Sequence, residues 1–218
     1  MKKYKLTTET LQFAGRTLHR IKAVKDFDSI KAGEFGGWIE NEKNLSQDDN
    51  AWIYGNAMVF DNAMVFDNAM VFDNAEVYGN AKVYGNANVS DYAEVYGNAE
   101  VYGNAEVYDY AKVYGNAEVY GNANISYYAK VYGNAVIKGD AIVHDAVDYI
   151  VFKNFWSSGR YFTWTSSNNK WSVGCFYGTS EELIKKAYAD SEKSGREYER
   201  VVRYVESILA DEKKEKSN

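Results

Sequence analysis

The chain has 218 residues, a formal net charge of −6, two histidines, one cysteine and no proline. The modest negative charge, with lysine spread along the whole chain, argues against nucleic-acid binding, which needs a basic surface. A single cysteine, Cys175, excludes an internal disulfide framework and is consistent with a reducing compartment.

The N-terminal segment, residues 1–35, predicts a short β element that caps the rest of the chain. Its strand-like stretches KYKL, LQFA and LHRIKAV are interrupted by a predicted hairpin turn at Ala14-Gly15-Arg16. An irregular first coil is expected to begin near Gly36, because Ile39 and Leu45 continue the register of an alanine position that repeats downstream. Bulky residues there would cover strand edges that are otherwise unpaired.

Residues 36–147 are dominated by one six-residue unit, which recurs sixteen times between Asn50 and Asp145 without an insertion. One position is always Ala, and the residue two further along is always Val or Ile. A spacing of two on an extended chain turns both side chains to the same face, so each unit predicts a short strand. The Gly-Asn or Asp-Asn pair after each strand suits a corner. The repeat therefore predicts a parallel β-helix.

The number of sides can be read from exceptions to the repeat. The corner Asn becomes Tyr at Tyr92, Tyr110 and Tyr128, eighteen residues apart, and the aromatic position becomes Ser at Ser90 and Ser126. A period of eighteen within a period of six means three strands per coil. If the Asn position has positive φ, each tyrosine there costs about 1–2 kcal/mol. The three tyrosines are therefore a candidate binding edge.

Aromatic side chains also predict outward columns, with rings one strand spacing apart and able to stack. These columns either stabilise a thin prism or form a strip that binds a sugar, peptide or protein. One column contains Phe60, Tyr78, Tyr96, Tyr114 and Tyr132; a second contains Phe66, Tyr84, Tyr102, Tyr120 and Lys138; the third contains Tyr54, Phe72, Ser90, Tyr108 and Ser126.

The period stops after Asp145, and residues 148–210 predict an α+β module. RYFTWT and KWSVGCF form a predicted β-hairpin, in which Trp164 and Trp171 are candidates for contact with a partner. The pattern TSEE starts a helix to about residue 191, and a second helix is expected from about residue 194 to 209. Residues 211–218 form a charged tail that we expect to be disordered.

Two resemblances add to this interpretation. Units such as VYGNAE resemble the left-handed β-helix of the bacterial hexapeptide-repeat transferase superfamily over about residues 36–145. The resemblance implies left-handedness, which spacing alone does not give. The flanking stretches AVKDFDSIKAGEFGGWIENEKNLSQDDNAWIYGNA and NKWSVGCFYGTSEELIKKAYADSE look like hexapeptide-repeat proteins of phages and prophages, which implies a phage or mobile-element origin. The expected fold is thus mainly β.

Few residues suit catalysis. Acyltransferases of the resembled superfamily generally use a histidine base at a subunit interface, and His144 in the last unit is the candidate here; His19 precedes the first unit. The carbonic anhydrases of this fold need three histidine ligands, which two histidines cannot supply. Cys175 lies in the apolar stretch VGCF, which favours a buried inert thiol over a nucleophile. We expect no metal site and no cofactor.

The leading hypothesis is a non-enzymatic binding or assembly protein of phage origin, in one version binding and neutralising a host protein. Homo-oligomerisation is a further expectation, because flat prism faces pair readily. The alternatives are a hexapeptide-type acyltransferase that uses His144 and a carbohydrate-binding module. The sequence shows no signal peptide and no apolar run of twenty residues, so we expect a soluble protein in the host cytoplasm without a membrane partner.

Overall fold

The computed structural model describes residues 2–215, which divide into two compact units. The first unit extends to Tyr149 and the second begins at Ile150. The first contains the N-terminal β element and the repeats, and the second contains an antiparallel sheet and two helices.

The N-terminal β element is an antiparallel hairpin of β1 (Tyr4–Phe13) and β2 (Arg16–Ala23), with β3 (Phe35–Ile39) added to its edge. The turn falls at Ala14 and Gly15, as predicted. The stretches KYKL and LQFA form one strand with a shift of register, not two strands. Because β3 also pairs in parallel with the repeats, the hairpin extends one sheet of the solenoid.

Sixteen two-residue strands come next, one per repeat unit, and they pair in parallel at a separation of eighteen residues. They build three sheets. Face I contains β4 (Trp52–Ile53), β7 (Met70–Val71), β10 (Asn88–Val89), β13 (Glu106–Val107), β16 (Asn124–Ile125) and β19 (Ile142–Val143). Face II contains β5 (Met58–Val59), β8 (Glu76–Val77), β11 (Glu94–Val95), β14 (Lys112–Val113) and β17 (Lys130–Val131). Face III contains β6 (Met64–Val65), β9 (Lys82–Val83), β12 (Glu100–Val101), β15 (Glu118–Val119) and β18 (Val136–Ile137).

The core is the pair of inward positions. All Ala side chains from Ala51 to Ala141 and all Val or Ile side chains from Ile53 to Val143 are 0% exposed. Backbone bonds join one coil to the next, such as Glu94 N donating to Ala111 O at 2.9 Å. The three-sided parallel β-helix is therefore confirmed. Its left-handedness stays a prediction from the resemblance.

The corners differ from the prediction in their backbone conformation. Positive φ occurs at the Gly or Asp position, for example 72° at Gly79 and 59° at Asp91, and not at the Asn position after it. The interpretation of Tyr92, Tyr110 and Tyr128 as strained was therefore wrong. Gly, Asp and Asn all tolerate positive φ, so composition alone did not show which residue of the pair adopts it. The strained tyrosine is Tyr127, with φ 54°.

The first coil is irregular, as predicted, but its register is different. Ile39 pairs with Val59 and Leu45 bridges to Val65, so both residues occupy the Val position rather than the Ala position. The separation is twenty residues instead of eighteen, because two extra residues precede the first regular unit. Gly37 takes the Ala position, where a Cβ would come within 2.5 Å of a backbone carbonyl oxygen.

The first regular coil is capped by polar groups of the N-terminal segment. The carbonyls of its three alanines would otherwise lack the donors that a preceding coil supplies. Three different donors replace them: Lys3 Nζ bonds Ala51 O at 2.8 Å, Trp38 N bonds Ala57 O at 2.9 Å, and Asn44 Nδ2 bonds Ala63 O at 2.8 Å. Short 3-10 helices lie on either side of the repeats, at Glu42–Asn44 and Ala146–Asp148.

In the second unit the predicted hairpin and both predicted helices are confirmed. The hairpin is part of a four-stranded sheet. The first helix starts with the predicted capping box of Thr179 and Glu182. The elements are β20 (Tyr149–Lys153), β21 (Tyr161–Thr165), β22 (Lys170–Val173), β23 (Phe176–Gly178), α1 (Ser180–Asp190) and α2 (Glu192–Glu215).

The helix α2 ends six residues later than expected. Residues 211–215 of the predicted disordered tail belong to this helix, so that part of the prediction was wrong. A run of charged residues that includes Lys and Glu has good helix propensity and extends a helix that is already formed. Residues 216–218 of the tail lie outside the described residues.

Cys175 is not in a buried strand. It lies between β22 and β23, next to Gly174 with φ 55°, and its side chain is exposed. The prediction of a buried thiol was wrong, because the apolar stretch VGCF contains a turn that its composition conceals.

The Lys3 cap generates a pH-dependent prediction. Burial lowers the pKa of Lys3 from 10.5 to about 8. Between these values the unfolded chain keeps a proton that the folded chain has lost, so raising the pH favours the folded state. Relative to Lys3→Met, the free energy of unfolding of the wild type should rise by up to about 3 kcal/mol from pH 8 to 10.5, at 1.36 kcal/mol per unit. Urea denaturation at several pH values measures it.

The matched control is Lys5→Met, which changes an exposed lysine two residues away, in β1. The difference in free energy of unfolding between Lys5→Met and the wild type should stay constant over the same pH range. A constant difference for Lys3→Met as well would show that the buried amine keeps its ordinary proton affinity.

Candidate functional site

One of the three corners differs from the other two in its side chains. At the corner after face II and the corner after face III, asparagine amides donate to one another from coil to coil at 2.9–3.1 Å. The ladder after face II consists of Asn62, Asn80, Asn98 and Asn116. The ladder after face III consists of Asn50, Asn68, Asn86, Asn104 and Asn122. At the corner after face I the ladder has one bond, from Asn56 to Asn74, before tyrosine replaces asparagine.

The replaced positions Tyr92, Tyr110 and Tyr128 form a surface that we call the tyrosine edge. Their rings stack in parallel, with centroids 5.1 and 5.2 Å apart and interplanar angles of 5° and 7°. The three side chains are 54%, 49% and 73% exposed. Each stacked pair contributes about 0.5–1.5 kcal/mol. The edge thus presents exposed, ordered aromatic rings where the other corners present amides.

Carboxylates in the positive-φ position tie the coils together beneath the tyrosine edge. Asp91 Oδ2 accepts from Asp109 N at 3.3 Å, and Asp109 Oδ2 accepts from Tyr127 N at 2.9 Å. The same bond occurs at another corner, where Asp67 Oδ2 accepts from Gly85 N at 3.0 Å. Since it is not special to the tyrosine edge, this aspartate bond is structural.

The second predicted strip, Tyr78, Tyr96, Tyr114 and Tyr132 on face II, is also stacked, with centroids 4.9–5.3 Å apart. Its rings are half-buried except that of Tyr132, which is 52% exposed. Tyr78 donates to Glu94 at 3.2 Å, and burial together with this carboxylate raises the pKa of Tyr78. The strip therefore offers less free surface than the tyrosine edge.

The two tryptophans predicted to contact a partner are core residues of the second unit. Trp164 is 3% exposed and Trp171 is 0% exposed. Their indole N–H groups donate to Asn169 Oδ1 at 3.0 Å and to Ser180 Oγ at 3.1 Å. Because both rings are buried and both indole N–H groups are hydrogen-bonded within the second unit, we exclude these two tryptophans from the candidate surface.

The candidate catalytic histidine lies at the end of face I. His144 is exposed, and its ring meets the ring of Tyr127 edge-on at 4.9 Å. Its backbone N donates to Asp148 Oδ2 at 2.7 Å. His19 is on β2 at the opposite end of the repeats, so the two histidines do not share a site. Within residues 2–215 no cluster of His, Cys, Asp and Glu suits a metal ion.

The comparisons with known proteins agree with this architecture. A sequence model of the family described as YdcK Beta solenoid repeat matches residues 51–66 and 129–145. A protein of Escherichia coli strain K12 named uncharacterized acetyltransferase YdcK is 39% identical over 62 residues, 25% of this chain. The chain spans 19% of the length of that relative. The chain is a hexapeptide-repeat β-helix, and its similarity to a protein named as an acetyltransferase covers a fraction of both.

None of the helices described in residues 2–215 has both the length and the apolar character that crossing a membrane requires.

The strain at Tyr127 predicts a stabilising substitution. Tyr127→Gly should raise the free energy of unfolding by about 1 kcal/mol, because glycine adopts positive φ without the penalty that other residues carry. Tyr128→Gly is the matched control and should lower it, because Tyr128 has no positive φ and loses its stack on Tyr110. Thermal and urea denaturation test both. A loss of stability in Tyr127→Gly would mean that the contact with His144 outweighs the strain.

Proposed function

We propose that this chain is a non-enzymatic binding or assembly protein that contacts a partner protein through the tyrosine edge. One observation carries the proposal: three stacked and exposed tyrosines replace a stabilising asparagine ladder at one corner only. Stability alone would be served by continuing the amides, which already join the coils at the other two corners.

The physical properties of the tyrosine edge support a protein partner. Tyrosine supplies a large amphipathic contact at a low cost in conformational entropy. The rings are held by stacking on a backbone that is hydrogen-bonded from coil to coil, so little order has to be created on binding. The neighbouring face II carries an ion pair of Lys112 and Glu94 at 2.5 Å, which adds a polar rim.

The resemblance of the flanking sequences supports the finer form of the proposal. In that form the protein has a phage origin and neutralises a host protein in the host cytoplasm. Self-association is the second form, in which the tyrosine edge contacts another copy of the chain. The oligomeric state in solution separates the two forms, because only self-association depends on the concentration of this chain alone.

Substitution of the whole tyrosine edge tests the proposal. The variant Tyr92→Asn/Tyr110→Asn/Tyr128→Asn should extend the amide ladder from Asn74. The new amide bonds offset the loss of two ring stacks, so its free energy of unfolding should stay within about 1 kcal/mol of the wild type. Quantitative pull-down from host lysate should lose the partner that the wild type captures, and any self-association should weaken in sedimentation.

The matched control changes three side chains of a plain corner, Asn86→Ser/Asn104→Ser/Asn122→Ser, and should keep partner and oligomeric state. Equal capture by both variants and the wild type would contradict the proposal. A thermal-shift screen with sugars tests the carbohydrate-binding alternative, which requires a shift that the tyrosine-edge variant loses.

A second candidate function is acyl transfer, and the similarity to the protein named uncharacterized acetyltransferase YdcK supports it. On this proposal acetyl-coenzyme A should raise the melting temperature. The acetyl group passes to an amine or hydroxyl acceptor, or to water. His144 removes the proton of this acceptor, and the proton ends on the released thiol. Thiol release should therefore fall at least tenfold in His144→Gln, which cannot act as a base. Ser90→Ala provides a control at a distant position of the same face. No shift and no thiol release would reject this candidate.

A further inference from the structure

The outward column of face I is an interrupted aromatic ladder. Tyr54 stacks on Phe72 with centroids 4.7 Å apart, and Tyr108 is the next aromatic residue of the column. The rung between Phe72 and Tyr108 is Ser90, whose short side chain donates to its neighbour Asp91 at 3.2 Å. A ring is therefore missing between Phe72 and Tyr108.

The missing rung leaves a space of ring size. Phe72 and Tyr108 are two coils apart, which places their rings about 9.6 Å from each other at the strand spacing of a sheet. A ring inserted midway would have a neighbour at about 4.8 Å on each side, and the stacked rings of faces II and III have centroids 4.5–5.3 Å apart. A surface depression of about 370 Å³ lies here, lined by Phe72, Asn88, Ser90, Asp91, Glu106 and Tyr108 among others.

The intact ladders show what polar group completes such a site. A tyrosine hydroxyl donates to the carboxylate sixteen residues later in three places: Tyr78 to Glu94 at 3.2 Å, Tyr84 to Glu100 at 3.0 Å and Tyr102 to Glu118 at 3.4 Å. Sixteen residues after Ser90 is Glu106, which lines the depression. The gap therefore keeps both ring neighbours and the carboxylate that would accept from a phenol hydroxyl.

The second interruption of the column differs from the first. Ser126 is 0% exposed, and its Oγ has no hydrogen-bond partner among the described residues. Ser90 is half-buried and opens onto the depression. Of these two gaps, the one at Ser90 is accessible from the surface.

We propose that the gap at Ser90 binds one phenolic ring, which stacks between Phe72 and Tyr108 and donates its hydroxyl to Glu106. The ring belongs either to a free phenol or to a tyrosine side chain of another polypeptide. This inference goes beyond the proposed function, because the site lies on face I and needs no protein partner to be detected.

The test is a titration of the full chain with p-cresol, monitored by ligand-detected NMR and by calorimetry. Saturable binding at one site is expected, and Glu106→Gln should weaken it by about fivefold to tenfold, because the uncharged amide oxygen of glutamine is a weaker acceptor than the carboxylate. Toluene, which lacks the hydroxyl, should bind more weakly than p-cresol to the wild type and should not respond to Glu106→Gln.

Filling the gap is the decisive variant. Ser90→Tyr should complete the ladder, raise the melting temperature and abolish p-cresol binding, whereas Ser90→Ala should retain it. The reciprocal variant Tyr84→Ser opens the same kind of gap on face III, between Phe66 and Tyr102 and beside Glu100. It should add a second p-cresol site per chain. Unchanged binding in Ser90→Tyr, or no saturable binding to the wild type, would overturn the inference.

Two further experiments identify the source of the phenolic ring and separate this inference from the proposed function. N-acetyltyrosinamide that binds more tightly than p-cresol supports a tyrosine of a polypeptide as the occupant, and equal or weaker binding supports a free phenol. The variant Tyr92→Asn/Tyr110→Asn/Tyr128→Asn should keep p-cresol binding. Loss of the protein partner in that variant and loss of phenol binding in Ser90→Tyr are thus independent results.

Discussion

The coil-to-coil backbone hydrogen bonds determine where every side chain of the repeats lies. They stack each strand on the strand eighteen residues away, so equivalent side chains recur at one strand spacing. That spacing suits amide ladders at 2.9–3.1 Å between nitrogen and oxygen, and it suits ring stacks at about 5 Å between centroids. The inward positions are restricted to Ala, Val and Ile by the narrow core, whereas the outward positions are free to vary. Function is therefore expected in the outward columns and at the corners.

The sequence predicted the parts of this structure that depend on short, regular periods. Sixteen units, three sides and the inward Ala and Val positions all come from spacings of two, six and eighteen. The prediction failed at the corners, where positive φ lies at Asp91 and not at Tyr92, because Gly, Asp and Asn all tolerate positive φ and composition does not show which residue adopts it. It also failed at Leu45, where two extra residues shift the register without changing the composition.

The candidate sites were predicted to different extents. The tyrosine edge was visible in the sequence, because its three members recur every eighteen residues, although their exposure and stacking were not. Trp164 and Trp171 were misassigned, because aromatic content does not distinguish a core from a surface before the sheet and helices are placed. The gap at Ser90 required the structure, because a missing ring has meaning only when its neighbours Phe72 and Tyr108 are known to share a column.

The departures from the repeat are consecutive in the chain, and this bears on whether they are functional. Ser90, Asp91 and Tyr92 together replace Tyr-Gly-Asn, so one short segment forms both the gap and the first ring of the tyrosine edge. Duplication of a longer block would copy such a segment, and Ser126-Tyr127-Tyr128 stands at the corresponding position two coils later. The two segments nevertheless differ in structure: Ser126 is buried beside a strained Tyr127, whereas Ser90 is open beside a hydrogen-bonded Asp91. Because Ser90 and Tyr92 are two residues apart, a ring held in the gap would lie beside the first ring of the tyrosine edge.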